Sequence, residues 1–178
     1  GDFNMTITEI EHNIFERMVK NNNFKNNVEV NQETFKSGLL QILVNSSKKI
    51  DSNFILELLK LADNDFYILP LGKTIQLFTK DFKGTIAFNL RRPNENHAEC
   101  FNVPLMIEVD ALHSNKKGHG KQLMNSVIKI ADTINVPVCL WTETQKNTRY
   151  FKKYTFKTYG KRGERNEELL IRKRVPFK

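Results

Sequence analysis

Residues 103–141 constrain this chain more than any other stretch. They run from the apolar VPLMIEV, through the polar loop SNKKGHG and a helix-periodic segment, to a second apolar run, VPVCLW. In the periodic segment Leu123, Val127, Ile130, Ala131 and Ile134 fall at intervals of 4, 3, 1 and 3, the period of a helix rather than the alternation of a strand. A helix therefore starts near Gly120. When a helix carries the chain between two strands of one sheet, the strands lie side by side and parallel. Upstream, TIQLF and TIAFNL flank the short turn TKDFKG and read as a hairpin. The order hairpin, strand, loop, helix, strand predicts a mixed α/β sheet. A short helix over residues 146–154 and a last strand in ELLIRKRV follow.

The first third is polar and asparagine-rich. Helices are expected near residues 9–21, 32–46 and 52–64, the last opening at an Asp51-Ser52-Asn53 capping cluster, while NNNFKNN reads as a loop. Without an internal repeat or a linker, residues 1–178 read as one domain, mainly helical over 1–65 and with the mixed α/β core over 66–178. Membrane spans are excluded, since no apolar run approaches the ~18 residues needed. The N-terminal GDFNMTITEI lacks the apolar centre of a secretory signal, so a cytoplasmic protein is expected. Cys100 and Cys139 have no partners at metal-ligand spacing and read as buried reduced thiols. His12, His97, His113 and His119 are too scattered to suggest a metal site.

Charge is unevenly placed. Residues 111–178 hold 16 Lys and Arg against five Asp and Glu, a net +11, whereas residues 1–110 total −3. An anionic partner of the C-terminal part, or a solvated basic face without one, explains this equally well. The loop narrows the choice. A helix N-terminus presents unpaired N–H groups and partial positive charge to anions. Gly118 and Gly120 remove the Cβ atoms that keep a phosphate from those groups, and Lys116, Lys117 and Lys121 add formal charge. The spacing matches neither the Walker loop nor the dinucleotide fingerprint, because position 123 is leucine. A tight turn without a ligand remains open at this point.

From Val109 to Phe156 the chain resembles the core of the GCN5-related N-acetyltransferases, the GNAT family. The likeness rests on two motifs in order, Asn115-Lys116-Lys117-Gly118-His119-Gly120 before the helix, and Asn147-Thr148-Arg149-Tyr150-Phe151 with a Tyr154-Thr155-Phe156 ending after the next strand. It implies a GNAT-like, mixed, mostly antiparallel twisted sheet flanked by helices. It also implies acetyl-CoA as cosubstrate, with the backbone from Asn115 through His119 and Gly120 to Lys121 on its pyrophosphate. Val109 would pair with the pantetheine arm, and Asn147 and Phe151 would contact the arm near the thioester. Asn115 stands where the family prefers Gln or Arg, and Phe151 where many members carry a tyrosine acid.

The activity so implied is direct acetyl transfer to a primary amine in a ternary complex, no cysteine having a nucleophile-like context. The acceptor amine is protonated in neutral water and needs a base. Glu108 is the first candidate, with Asp110 and Glu99 behind it. Tyr150, and after it Tyr154, is the candidate acid. An inactive acyl-CoA-binding module and a basic nucleic-acid-binding domain are the alternatives. Aromatics are scarce in KRGERNEELLIRKR, which disfavours the latter. The acceptor is unidentified, and a homodimer is left open.

Overall fold

The computed structural model describes residues 7–174; residues 1–6 and 175–178, including the end of the expected last strand, lie outside it. Four helices come first, α1 (Ile7–Val19), α2 (Asn22–Val30), α3 (Gln32–Asn45) and α4 (Lys49–Asn64). Strands β1 (Phe66–Leu71), β2 (Thr74–Thr79) and β3 (Gly84–Arg91) follow, then a 3₁₀ turn (Glu95–Cys100) and β4 (Met106–Ser114). Next come α5 (His119–Ile134), β5 (Val138–Thr142), α6 (Gln145–Lys152), β6 (Lys157–Lys161) and β7 (Glu168–Arg172). The strands form one sheet in the order β1-β2-β3-β4-β5-β7-β6. Every neighbouring pair is antiparallel except β4 and β5, which α5 connects. This is the mixed, mostly antiparallel, helix-flanked sheet expected, with a helical segment ahead of it.

Alternation along the strands sends apolar side chains to both faces. On one face Leu77, Ile86, Phe88 and Ile107 meet Phe54 and Leu58 of α4 and Leu123, Val127 and Ile130 of α5. Each such fully buried side chain contributes about 1.5–3 kcal/mol over exposure. On the other face Phe78 and Phe82 meet Phe15 of α1 and Val28 of α2. A third cluster joins the 3₁₀ turn to the sheet through Cys100, Phe101, Met106, Cys139 and Leu169. Both cysteines are free and buried.

Three local expectations are corrected. The asparagine tract is helical, forming α2, whose cap is Asn21: its side chain accepts from the Phe24 amide at 3.1 Å. Asparagine costs a few tenths of a kcal/mol per position relative to alanine, about 0.7 at most, which burial of Val28 and the edge-on contact of Phe24 with Phe78 at 5.7 Å outweigh. Helix α4 opens at Lys49, earlier than the capping cluster. The Ser52 hydroxyl donates back to the Lys48 carbonyl at 3.2 Å instead of capping. Finally, β1 and β6 are additional strands at the two sheet edges, where Pro70 and the polar KTYGK are tolerated.

Gln32 ties the helical segment to the sheet. Its Nε2 donates to the carbonyls of Val28 and Ile68, and its Oε1 accepts from the Ile68 amide, all at 2.9 Å. The side chain is buried, so removing it strands backbone groups that water cannot reach. Gln32→Met is expected to lose about 2 kcal/mol or more, roughly 4–8 °C in melting temperature, as read by thermal denaturation.

Candidate active site

Strands β4 and β5 pair only at Ile107↔Val138 and Glu108↔Cys139. Beyond those positions they diverge, and their facing edges leave ladder groups free to bond an extended ligand. The gap is a cleft of about 840 Å³. Val109–Ser114 and Leu140–Thr142 line it from the two strands, and the glycine loop and α6 complete the lining.

The β4 wall is not regular. Phe88 pairs with Val109, but Ala87 pairs with Ala111, so Asp110 is one residue too many on β4. A bulge of this kind leaves the extra residue outside the ladder and re-aims its neighbours. Val109 and Leu112, three apart, consequently both join the packed face of α4 and α5. Asp110 is turned into the cleft.

At the loop, Asn115 donates its amide to the Lys83 carbonyl at 2.7 Å, and Ser114 Oγ donates to the Lys116 carbonyl at 2.7 Å. Gly118 caps α5 with φ +92°, a region where any side chain is strained. No side chain caps this helix end. A Cβ on Gly120 would lie 3.1 Å from the Tyr150 hydroxyl, so the loop and α6 meet closely there. Asn115, Lys116, Lys117, Gly118, Gly120 and Lys121 all line the cleft. His119 does not. Its Nε2 bonds Asp81 Oδ2 at 2.8 Å, tying the loop to the β2–β3 turn. Asp81 also accepts from Thr79 Oγ1 at 2.7 Å and the Lys83 amide at 3.0 Å, and approaches Lys116 Nζ at 3.7 Å. Desolvation raises its carboxyl, but the bonds from His119, Thr79 and Lys83 outweigh this and hold it far below the usual range. Nothing in the hairpin sequence marked Asp81 for that role.

On α6, Thr144 caps the helix by accepting from the Asn147 amide at 3.2 Å, which presents Asn147 to the cleft. Tyr150 and Tyr154, one turn apart, share a hydrogen bond between hydroxyls of 2.9 Å and line the same wall as Phe151. Burial first, then the bond with Tyr150, hold the Tyr154 phenol above its ordinary range.

The two carboxylates of β4 differ. Glu108 accepts from Arg91 Nη1 at 3.1 Å, its side chain is 16% exposed, and it is not part of the cleft lining. Asp110 keeps solvent access at the cleft and accepts from Asn89 Nδ2 at 2.9 Å. Its carboxyl is pushed up to about 6, chiefly by desolvation, then by the Glu108 charge beside it, with Asn89 and Arg91 opposing. Cys139, near Glu108, is held well above the ordinary thiol range by burial and that same charge. Glu99 is not part of the cleft lining and is in an ion pair with Arg162 at 2.9 Å.

Helix α1 covers the cleft, contributing Thr8 and Glu11 to its lining. It is held by Phe15, stacked on His113 of β4 at 5.4 Å, and by His12 Nδ1, 3.4 Å from His113 Nδ1. Burial, then His12, lower His113 to about 4. Because its folded value lies below the unfolded 6.5, the neutral ring contributes stability that is full above about pH 6.5 and is lost as pH falls toward 4. Melting temperature is therefore expected to drop across that window, and His113→Asn to flatten the drop. Among the described residues no cluster of three His, Cys, Asp or Glu side chains could hold a metal, and no helix is long and apolar enough to cross a membrane.

No protein-family model and no curated protein matches this sequence. Solved structures do. The Bacillus subtilis N-acetyltransferase YlbP, in complex with coenzyme A, is 18% identical over 78% of this chain and 90% of its own, with a TM-score of 0.40. The structure of histone acetyltransferase HPA2 and related acetyltransferase from Corynebacterium glutamicum is 13% identical over 92% of this chain and 93% of its own, with a TM-score of 0.41. The PaiA N-acetyltransferase of Thermoplasma acidophilum, in complex with coenzyme A, is 16% identical over 83% and 90%, with a TM-score of 0.39. What those proteins bind belongs to them. The fold of this chain, one parallel pair bridged by a crossover helix within an otherwise antiparallel sheet, is GNAT-like.

Proposed function

We propose that this chain is an N-acetyltransferase that moves an acetyl group from acetyl-CoA to a primary amine by direct attack. One observation carries the reading: the cleft where β4 and β5 diverge is lined by a glycine- and lysine-rich loop at the start of a helix, by the Asp110 carboxylate and by the Tyr150 and Tyr154 hydroxyls. The loop suits a pyrophosphate. Gly118 and Gly120 leave room for it, the first turn of α5 supplies N–H groups, and Lys116, Lys117 and Lys121 supply charge. The open edges of β4 and β5 suit the amide-bearing pantetheine arm, with Val109, Asn147 and Phe151 beside it.

Asp110, rather than the ion-paired Glu108, accepts the proton of the attacking amine. A base poised near neutrality is the efficient one, and desolvation in the cleft moves Asp110 in that direction. Backbone groups freed by the bulge are suited to the oxyanion of the tetrahedral intermediate. As the carbon–sulfur bond breaks, the Tyr150–Tyr154 pair donates a hydrogen bond to the leaving sulfur, whose thiol has an ordinary pKa of about 8.5 and needs little help. No acyl-cysteine is required, since Cys139 is buried away from the cleft and held as a thiol.

The test is calorimetric titration with acetyl-CoA, followed by a panel of primary amines monitored for free thiol. Micromolar binding with turnover supports the enzyme. Binding with no turnover for any amine would leave an acyl-CoA-binding module, and absence of binding would overturn the reading.

A further inference from the structure

We infer that Asp81, on the β2–β3 turn and not itself part of the cleft lining, is a positioning residue for acetyl-CoA: acting through His119, it fixes the backbone of the glycine loop. The inference rests on the acyltransferase reading for the identity of the ligand. It adds to that reading a residue 38 positions away in the chain that touches no part of the ligand.

The loop needs an external anchor. Gly118 enters α5 at φ +92° and no side chain caps the helix, so two glycines with wide conformational freedom set the N–H groups that would face a pyrophosphate. His119, between those glycines, is absent from the cleft lining, and its Nε2 lies 2.8 Å from Asp81 Oδ2. An ionised carboxylate only accepts, so His119 is the donor. The same turn holds the start of the loop, where the Asn115 amide donates to the Lys83 carbonyl at 2.7 Å. Gly84 lets the two segments touch: a Cβ there would lie 3.0 Å from Leu123 Cδ1 and 3.1 Å from His119 Cβ.

The turn is itself a fixed point. Asp81 accepts from Thr79 Oγ1 at 2.7 Å and the Lys83 amide at 3.0 Å, and Thr79 Oγ1 accepts from the Gly84 amide at 3.0 Å. Phe82 sits at φ +58°, a region strained for an aromatic residue, and is buried against Phe15, Val28 and Phe78. Strain of this kind persists only where the surroundings over-determine the backbone. A rigid acceptor is thereby brought to the mobile end of the loop's one imidazole.

Charge alone gives Asp81 the wrong sign. Its Oδ2 lies 3.7 Å from Nζ of Lys116, which lines the cleft, so it draws on positive charge that an anion would use. If electrostatics were its whole effect, removing the carboxylate would tighten acetyl-CoA. Positioning predicts the opposite.

The test is calorimetric titration of acetyl-CoA into the full chain and its variants. Asp81→Ala and His119→Ala are each expected to weaken binding about tenfold, the scale of one charge-assisted hydrogen bond. Both remove the same bond, so the double substitution is expected to be no weaker than Asp81→Ala alone. His119→Gln, which keeps an N–H donor for Asp81, is expected to bind within about threefold of wild type, a rescue that a merely structural role does not produce. His119→Ala leaves the bonds inside the turn intact, so it decides the matter even if Asp81→Ala fails to fold. Affinity unchanged or tightened in the alanine variants, effects that multiply in the double variant, or a His119→Gln as weak as His119→Ala each overturns the inference while leaving the acyltransferase reading in place. A wild type that does not bind acetyl-CoA overturns both.

Discussion

Replacing Asp110 with asparagine is expected to lower kcat/KM for amine acetylation by about two orders of magnitude or more, the scale contributed by a positioned base. In the wild type the rate is expected to rise with pH through about 6, where Asp110 ionises, and that limb should vanish in the variant. The effect on stability has the opposite sense. Asp110 is raised in the fold above its ordinary 3.8, so its contribution is favourable at low pH and lost as pH rises through about 6. Asp110→Asn should therefore melt no lower than wild type at pH 8, which separates lost chemistry from lost structure. Glu108→Gln tests the neighbour. It removes the charge that raises Asp110 and frees Arg91, so the acidic limb should move to lower pH while the rate at high pH stays within severalfold. Full loss of activity in Glu108→Gln, with Asp110→Asn unaffected, would return the role of base to Glu108.

Gly120→Glu is expected to weaken acetyl-CoA by about a hundredfold or more in calorimetric titration, because it sets a carboxylate among the N–H groups and lysines of the loop. The new Cβ also lies 3.1 Å from the Tyr150 hydroxyl, which must shift. A glutamate in the first turn of a helix favours the helix itself, so the variant is expected to fold. Gly118→Val probes the same loop through the backbone. Open space surrounds its Cβ, but φ of +92° is costly for a β-branched residue, by about 1–2 kcal/mol. Unaltered acetyl-CoA affinity in both variants would remove the cofactor from this loop.

How far the sequence reached follows the range of the forces involved. The periodicity of Leu123, Val127, Ile130, Ala131 and Ile134 is local, and it is enough to specify α5 within a residue of its observed start. A helix between two apolar runs then required the β4–β5 parallel pair, the one parallel contact in the sheet. Gly118, Gly120 and the lysines around them were legible for the same reason, since a helix N-terminus and its flanking loop are set by neighbours in sequence. The helix of the asparagine tract was not legible. Its propensity points to a loop, and only the packing of Phe24 and Val28 on the sheet overrules it.

The sequence by itself thus determined the crossover unit, the helical segment ahead of it and the basic glycine loop, because each is encoded by spacing within about a dozen residues. Tertiary structure alone decided which carboxylate of β4 faces the cleft. Glu108 and Asp110 are equivalent on an alternating strand, and it takes the register of Phe88 and Ala87 across the ladder to make Asp110 the bulged residue. Glu11 and Asp110, or His119 and Asp81, meet only when α1 and the β2–β3 turn dock around the cleft. Pairings between residues so far apart in the chain leave no periodic trace, which is why the glycine and lysine loop of the cleft was readable in advance and its carboxylates were not.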